Sequence, residues 1–143
     1  MKRWGRLMAT LAILMIFYLL LGSGQVCPTL DIGGEAVVIS AKPQADLTIT
    51  VRYDEIRSLE LLSELDEGEL LDGGVSGRLH WGLREHGLYG MYQLCIDPSI
   101  SRYIRFETAA GSVIFNLESN SATEESYAAF ARLLSARNAE KQL

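Results

Sequence analysis

With two cysteines and two histidines in 143 residues, the chain is poor in the side chains that build disulfide scaffolds, metal centres and nucleophile–base pairs. His80 and His86 stand six apart in a glycine-rich stretch, with Cys95 further on. That spacing fixes no ligand geometry and supplies no third and fourth ligand, so no metal residue is nominated. A serine nucleophile would need a histidine base and an orienting acid. Ser76 and Ser112 read as turn serines, and Gly74-Val75-Ser76-Gly77 has its glycines at the wrong spacing for a strained nucleophile turn. No catalytic residue is nominated, and the chain is read as non-enzymatic. Gly73, Gly74, Gly77, Gly82, Gly87 and Gly90 precede no Lys-Ser/Thr pair, which excludes a phosphate cradle and leaves no cofactor or cofactor-binding residue. Turns and close backbone approaches between short strands account for them. Asn116 and Asn120 start no glycosylation sequon, because Glu118 and Ala122 occupy the third positions.

Positive charge is the second scarcity. Setting aside Lys2, Arg3 and Arg6 leaves ten Lys and Arg against eighteen Asp and Glu, a formal charge of -8. Such a surface repels phosphate backbones and anionic headgroups, which argues against nucleic acid and acidic lipid as partners. Residues 60–72 carry Glu60, Glu64, Asp66, Glu67, Glu69 and Asp72 without one cation. Their spacing lacks the turn glycine and terminal glutamate of a calcium loop, so a solvated loop is expected.

What the chain does have is a basic head followed by an uncharged apolar run at 7–21. This is the pattern of an export signal or a membrane anchor. Residues 4–26 are long enough to cross a bilayer if Gly22-Ser23-Gly24 sits in the interface, and Trp4 and Tyr18 suit an interfacial belt. An anchor is favoured over cleavage, which would leave Gln25 as the new amino terminus. Val26 before Cys27 is too large and branched for a lipoprotein site. The early cations put the amino terminus in the cytoplasm and the rest outside, as a single-pass protein of the cytoplasmic membrane. The alternative is secretion after cleavage. In an oxidising compartment Cys27 and Cys95 could close a disulfide; two unpaired thiols, one buried in a strand, is the favoured reading.

After the anchor or signal segment (1–24) and a linker (25–35) with Pro28 and Gly33-Gly34, periodicity takes over. Ala36 to Ser40 is a short strand. Leu47, Ile49, Val51 and Tyr53 alternate with polar residues, the two-residue period of a half-buried strand. Further strands are expected at 59–61, 88–96 and 102–108, and a hairpin brings in Val113, Phe115 and Leu117. The period then becomes helical. Ser121 and Glu124 form a candidate capping box, and Tyr127, Phe130, Ala131 and Leu134 make an apolar stripe of about four turns. Arg132, Arg137 and Lys141 fall near the far end, where cations complement the helix dipole.

Several short strands and one closing helix, in this order, resemble a bacterial pleckstrin-homology-like domain. The resemblance rests on Tyr53-Asp54-Glu55-Ile56-Arg57-Ser58-Leu59-Glu60-Leu61, on Gly77-Arg78, Gly82 and Gly87-Leu88-Tyr89-Gly90-Met91-Tyr92, on the segments 104–108 and 113–116, and on the helix start at 123–130. It implies a mainly β fold: a seven-stranded, partly open barrel closed by a C-terminal helix, spanning 36–137, with a tail at 138–143. It also implies that Tyr127, Phe130 and Leu134 pack on Leu47, Ile49, Val51, Ile104 and Phe106. Lipid-binding members cluster cations after the first strand, whereas here only Lys42 and Arg52 stand there, with Thr50 between them, which argues against a phosphoinositide. Two function classes follow. One is a tethered module binding a protein partner, or itself, at the cell envelope. The other is a small-ligand or lipid carrier using the open end of the barrel. A packed interior favours the first, and an apolar pocket open to solvent the second.

Overall fold

The computed structural model describes residues 28–42 and 45–143, together with Ala12, Ile13, Met15 and Ile16, which are helical and exposed. The remainder of the expected anchor, its cleavage site, Cys27, Pro43 and Gln44 lie outside the described residues. Among the described residues no helix is long and apolar enough to cross a membrane.

The fold is mainly β with a C-terminal helix. Three strands, β1 (Thr29–Ile32), β2 (Ala36–Ser40) and β3 (Thr48–Arg52), form an antiparallel sheet in sequence order. Six more follow: β4 (Ile56–Leu62), β5 (Glu69–Ser76), β6 (Leu79–His86), β7 (Gly90–Ile96), β8 (Tyr103–Thr108) and β9 (Gly111–Phe115). They build a second sheet in the order β4-β8-β9-β7-β6-β5, antiparallel except for β7 beside β9. The described strands therefore number nine instead of the expected seven, in two open sheets.

Three expectations account for the difference. The segment read as a linker contains β1, whose register of Thr29 opposite Ser40 satisfies its backbone in a ladder. The acidic stretch is not one solvated loop: Glu60 belongs to β4, and Glu69 and Asp72 belong to β5. The glycine-rich stretch includes a hairpin of two eight-residue strands. Gly73 and Gly82 face each other there, both at positive φ, and a Cβ on Gly73 would lie 2.6 Å from the Gly82 Cα. Only glycine fits that approach.

The three-stranded sheet and the helix cover one face of the larger sheet. Val37, Ile39, Ile49 and Val51 meet Leu79, Cys95, Ile104, Phe106, Val113 and Phe115, with Phe130 wedged among them. The Phe130 ring sits edge-on to Phe106 at 5.2 Å and to Phe115 at 6.4 Å. Tyr127, Leu134 and Leu47 pack partly buried on the same core, as expected. The other face of the sheet buries Tyr92, Leu94, Ile96, Tyr103 and Ile114 under Leu62, Leu65 and Tyr89. Residues 63–68 cross it as a strap.

The helix, α1 (Asn120–Lys141), is 22 residues long and takes in most of the expected tail. Its cap is Ser119, not Ser121: the Ser119 hydroxyl accepts from the Ala122 N–H at 3.0 Å. Glu124, expected in a capping box, instead accepts from Arg102 Nε at 2.9 Å. With no Gly or Pro after Asn120, nothing in the sequence stops the helix early. Only Thr123 and Phe130 are fully buried along it.

Candidate functional site

The six-stranded sheet ends at β4, whose outer backbone edge has no neighbouring strand. Alongside that edge runs a groove of about 270 Å³ between β4 and α1. Ile56, Arg57, Ser58 and Leu59 all line it. A bulge between Ile56 and Ser58 breaks the two-face alternation, and this stretch of β4 borders the groove on the side of its unpaired edge. Tyr127, Ala131, Leu134, Ser135, Asn138 and Lys141 form the facing wall. Their three- and four-residue steps define one side of a helix.

Arg137 and Tyr53 close one end. The Arg137 guanidinium donates to the Gly34 carbonyl at 3.1 Å and to the Glu35 carboxylate at 3.0 Å. It also lies 5.3 Å from the centre of the Tyr53 ring. The Tyr53 hydroxyl donates to the Gly33 carbonyl at 2.8 Å, and burial raises its pKa against the opposing pull of Arg137. The β1–β2 turn thereby fastens the helix end. Arg57 and Lys141 make no ion pair among the described residues.

The groove runs against the charge of the molecule. Three of the ten cations beyond the basic head line it, Arg57, Arg137 and Lys141, and none of the eighteen acids does. Six of the eighteen acids lie on the strap at 63–68 and the β5–β6 hairpin, and the others are spread over the rest of the domain, Glu35 among them at the closed end of the groove.

The residues weighed from sequence lie elsewhere and do not converge. His80 Nδ1 lies 2.7 and 3.0 Å from the Glu67 carboxylate oxygens, and His86 Nε2 lies 3.5 Å from Asp66. Both histidines thus clasp the strap. The Gly68 N–H, and then His86, hold the Asp66 carboxyl below its usual pKa. Between the histidines on β6, Arg84 is buried, and its Nε has no hydrogen-bond partner among the described residues. Tyr92, cross-strand from Arg84, donates to the Glu67 carbonyl at 2.6 Å; burial pushes its phenol up to about 12. Ser76 accepts from Trp81 Nε1 at 3.4 Å, and Ser112 accepts from Arg105 Nε at 3.1 Å. Neither serine meets a histidine. Cys95 is fully buried, its thiol pushed up to about 12 by that burial. Among the described residues no group of three His, Cys, Asp or Glu side chains could hold a metal ion. Lys42 pairs with Asp46 at 3.2 Å, and Arg52 donates to both oxygens of Asp54 at 3.0 and 2.8 Å. The two cations weighed for a headgroup are thus each matched by a local acid.

Sequence reasoning missed the groove. From sequence Arg137 and Lys141 read as complements to the helix dipole, although Tyr127, Ala131, Leu134, Asn138 and Lys141 mark one helical side. What could not be read was that this side faces a strand edge.

The class defined by this architecture is a mainly β domain with a C-terminal helix beside an open sheet edge. Compared with protein-family models, curated proteins and solved structures, the chain matches none.

Proposed function

We propose that this protein is a non-enzymatic protein-recognition module, tethered to the cytoplasmic membrane by residues 4–26 with its domain outside. The groove between β4 and α1 is the recognition surface. The observation that carries the reading is the unpaired edge of β4 looking into a groove with an ordered second wall. An edge with free N–H and C=O groups is a template for an incoming strand. The helix gives that strand side-chain contacts, so register as well as affinity can be selected.

The packed interior supports the same reading over the carrier alternative. Side chains fill the space between the sheets and under Phe130, and the groove lies at the surface, lined by charged and polar as well as apolar groups. The resemblance to pleckstrin-homology-like domains enters the proposal only as an order of strands followed by a helix. Tethering raises the effective concentration of the module for neighbours in the same membrane, so weak contacts suffice.

The test is affinity capture from membranes with the full chain, comparing wild type with Ser135→Trp. Ser135 is exposed on the groove wall, so the indole fills the groove without entering the core. A specific protein captured by wild type and lost from Ser135→Trp is the expected result. Equal capture by both, or copurification of a lipid or small metabolite in place of a protein, removes the groove from the function.

A further inference from the structure

Resting on that reading, we infer that the occupant of the groove is an extended acidic segment of another protein, bound by strand addition to β4. Charge selects the chemistry. The two cations free of ion pairs, Arg57 and Lys141, stand on opposite walls, one on the strand and one on the helix. A segment lying between them passes within reach of both. Asn138 and the hydroxyl of Ser135 add neutral donors on the helix wall. No carboxylate lines the groove, and Asp54, whose carboxyl feels the charge of Lys141 from outside it, is bound by Arg52; a basic segment would leave both cations facing like charge.

The edge selects the conformation. A helix needs an apolar stripe on its receptor, but here three cations and the polar side chains of Ser58, Ser135 and Asn138 interrupt the apolar wall of Ile56, Leu59, Ala131 and Leu134. An extended chain draws its affinity from the backbone ladder and needs side-chain pockets only at alternate residues.

A second copy of this chain is a poor source of such a segment. Its one long acidic run, 60–72, is folded into β4, the strap and β5, with Asp66 and Glu67 held by His86 and His80. Releasing the whole run would pull β4 and β5, the two end strands, out of the six-stranded sheet, and the strap alone is tied to that sheet at both ends. The segment therefore comes from another protein.

The experiment uses the full chain in detergent micelles and three fluorescent ten-residue peptides alternating valine with glutamate, serine or lysine, read by anisotropy. The glutamate peptide should bind about fivefold or more tighter than the serine peptide, as two partly exposed charge pairs permit. The advantage should shrink with added salt. Arg57→Glu combined with Lys141→Glu, both at exposed positions, should reverse the order of the glutamate and lysine peptides. N-methylation of alternate backbone nitrogens should abolish binding in one of the two phases, because only one set of N–H groups faces β4. Equal affinity for the three peptides, or loss in neither methylation phase, overturns the inference. So does a chain that only self-associates in sedimentation. Should the double variant lose its thermal transition, the salt dependence and the methylation series on wild type still decide. If these fail while Ser135→Trp still blocks capture, the groove recognises protein by other chemistry. If Ser135→Trp changes nothing, the underlying reading itself is gone.

Discussion

The two faces of the six-stranded sheet are covered by different means. On one, a second sheet and α1 bury aliphatic and aromatic side chains against each other, with Phe130 at the centre. On the other, the strap at 63–68 lies over Tyr92, Leu94 and Ile96 and is held by polar clasps: Tyr92 to the Glu67 carbonyl, His80 to Glu67 and His86 to Asp66. Apolar burial is worth kilocalories per side chain, whereas a polar clasp near the surface contributes a fraction of that. The first cover should therefore be part of the global fold and the second a separable, low-stability element. The groove belongs to the strongly held side, so its walls stay fixed while the strap opens.

The comparison breaks first at Phe130. Phe130→Ala should lower the stability of the fold by about 3–5 kcal/mol, enough to approach unfolding in a small domain. An unchanged denaturation midpoint would detach α1 from the core and deprive the groove of a wall. The next largest effect is expected at Asn116, fully buried, whose amide donates to the Asp97 and Ile100 carbonyls and whose carbonyl accepts from the Asp97 N–H. Asn116→Ala leaves buried backbone groups unpaired and should cost about 1–3 kcal/mol in chemical denaturation. A neutral result would mean that the turn after β7 does not depend on this bracket.

Tyr92→Phe sharpens the contrast. It removes one hydrogen bond to the strap, about 0.5–1.5 kcal/mol, and should speed amide exchange within 63–68 while leaving α1 protected. Equal acceleration in both covers would merge what the account separates. The same variant has a signature in pH. The Tyr92 phenol is raised from 10.0 and the Cys95 thiol from 9.0, each to about 12, and burial is the first cause of both. In that range the folded state holds protons that the unfolded chain releases, so stability is intact below about pH 9 and falls towards about pH 12. Thermal midpoints measured across this window should decline, and Tyr92→Phe should make the decline shallower. The smallest effect is expected for Glu67→Gln, below about 1 kcal/mol for a partly exposed pair, visible in strap exchange before it is visible in the melting curve.

Much of the fold could be read where a strand has one wet face. Leu47, Ile49 and Val51 announce β3 by their alternation; the packing of Tyr127, Phe130 and Leu134 with Ile104 and Phe106 is what the family resemblance implies, and they do share one core. Strands buried on both faces lose that alternation. In β9, Val113, Ile114 and Phe115 are all buried, and so are Leu94, Cys95 and Ile96 in β7. Two-residue periodicity says little about such a run, although the strand expected at 88–96 and the hairpin that brings in Val113 are present as β7 and β9. Nor could it show that β9 inserts beside β7 in parallel, because pairing order depends on contacts distant in sequence. The groove was illegible for the same reason. Its two walls are more than sixty residues apart in sequence, and neither wall alone carries a motif.

The most direct measurement is in-cell photocrosslinking from paired positions on the full chain: a photoreactive amino acid in place of Ser135 on the groove wall, and in place of Glu64 on the strap. The account predicts a discrete protein adduct from Ser135, absent when Arg57 and Lys141 are both reversed to glutamate, and no adduct from Glu64. An adduct from Glu64 with none from Ser135 would contradict it, moving recognition to the acidic strap.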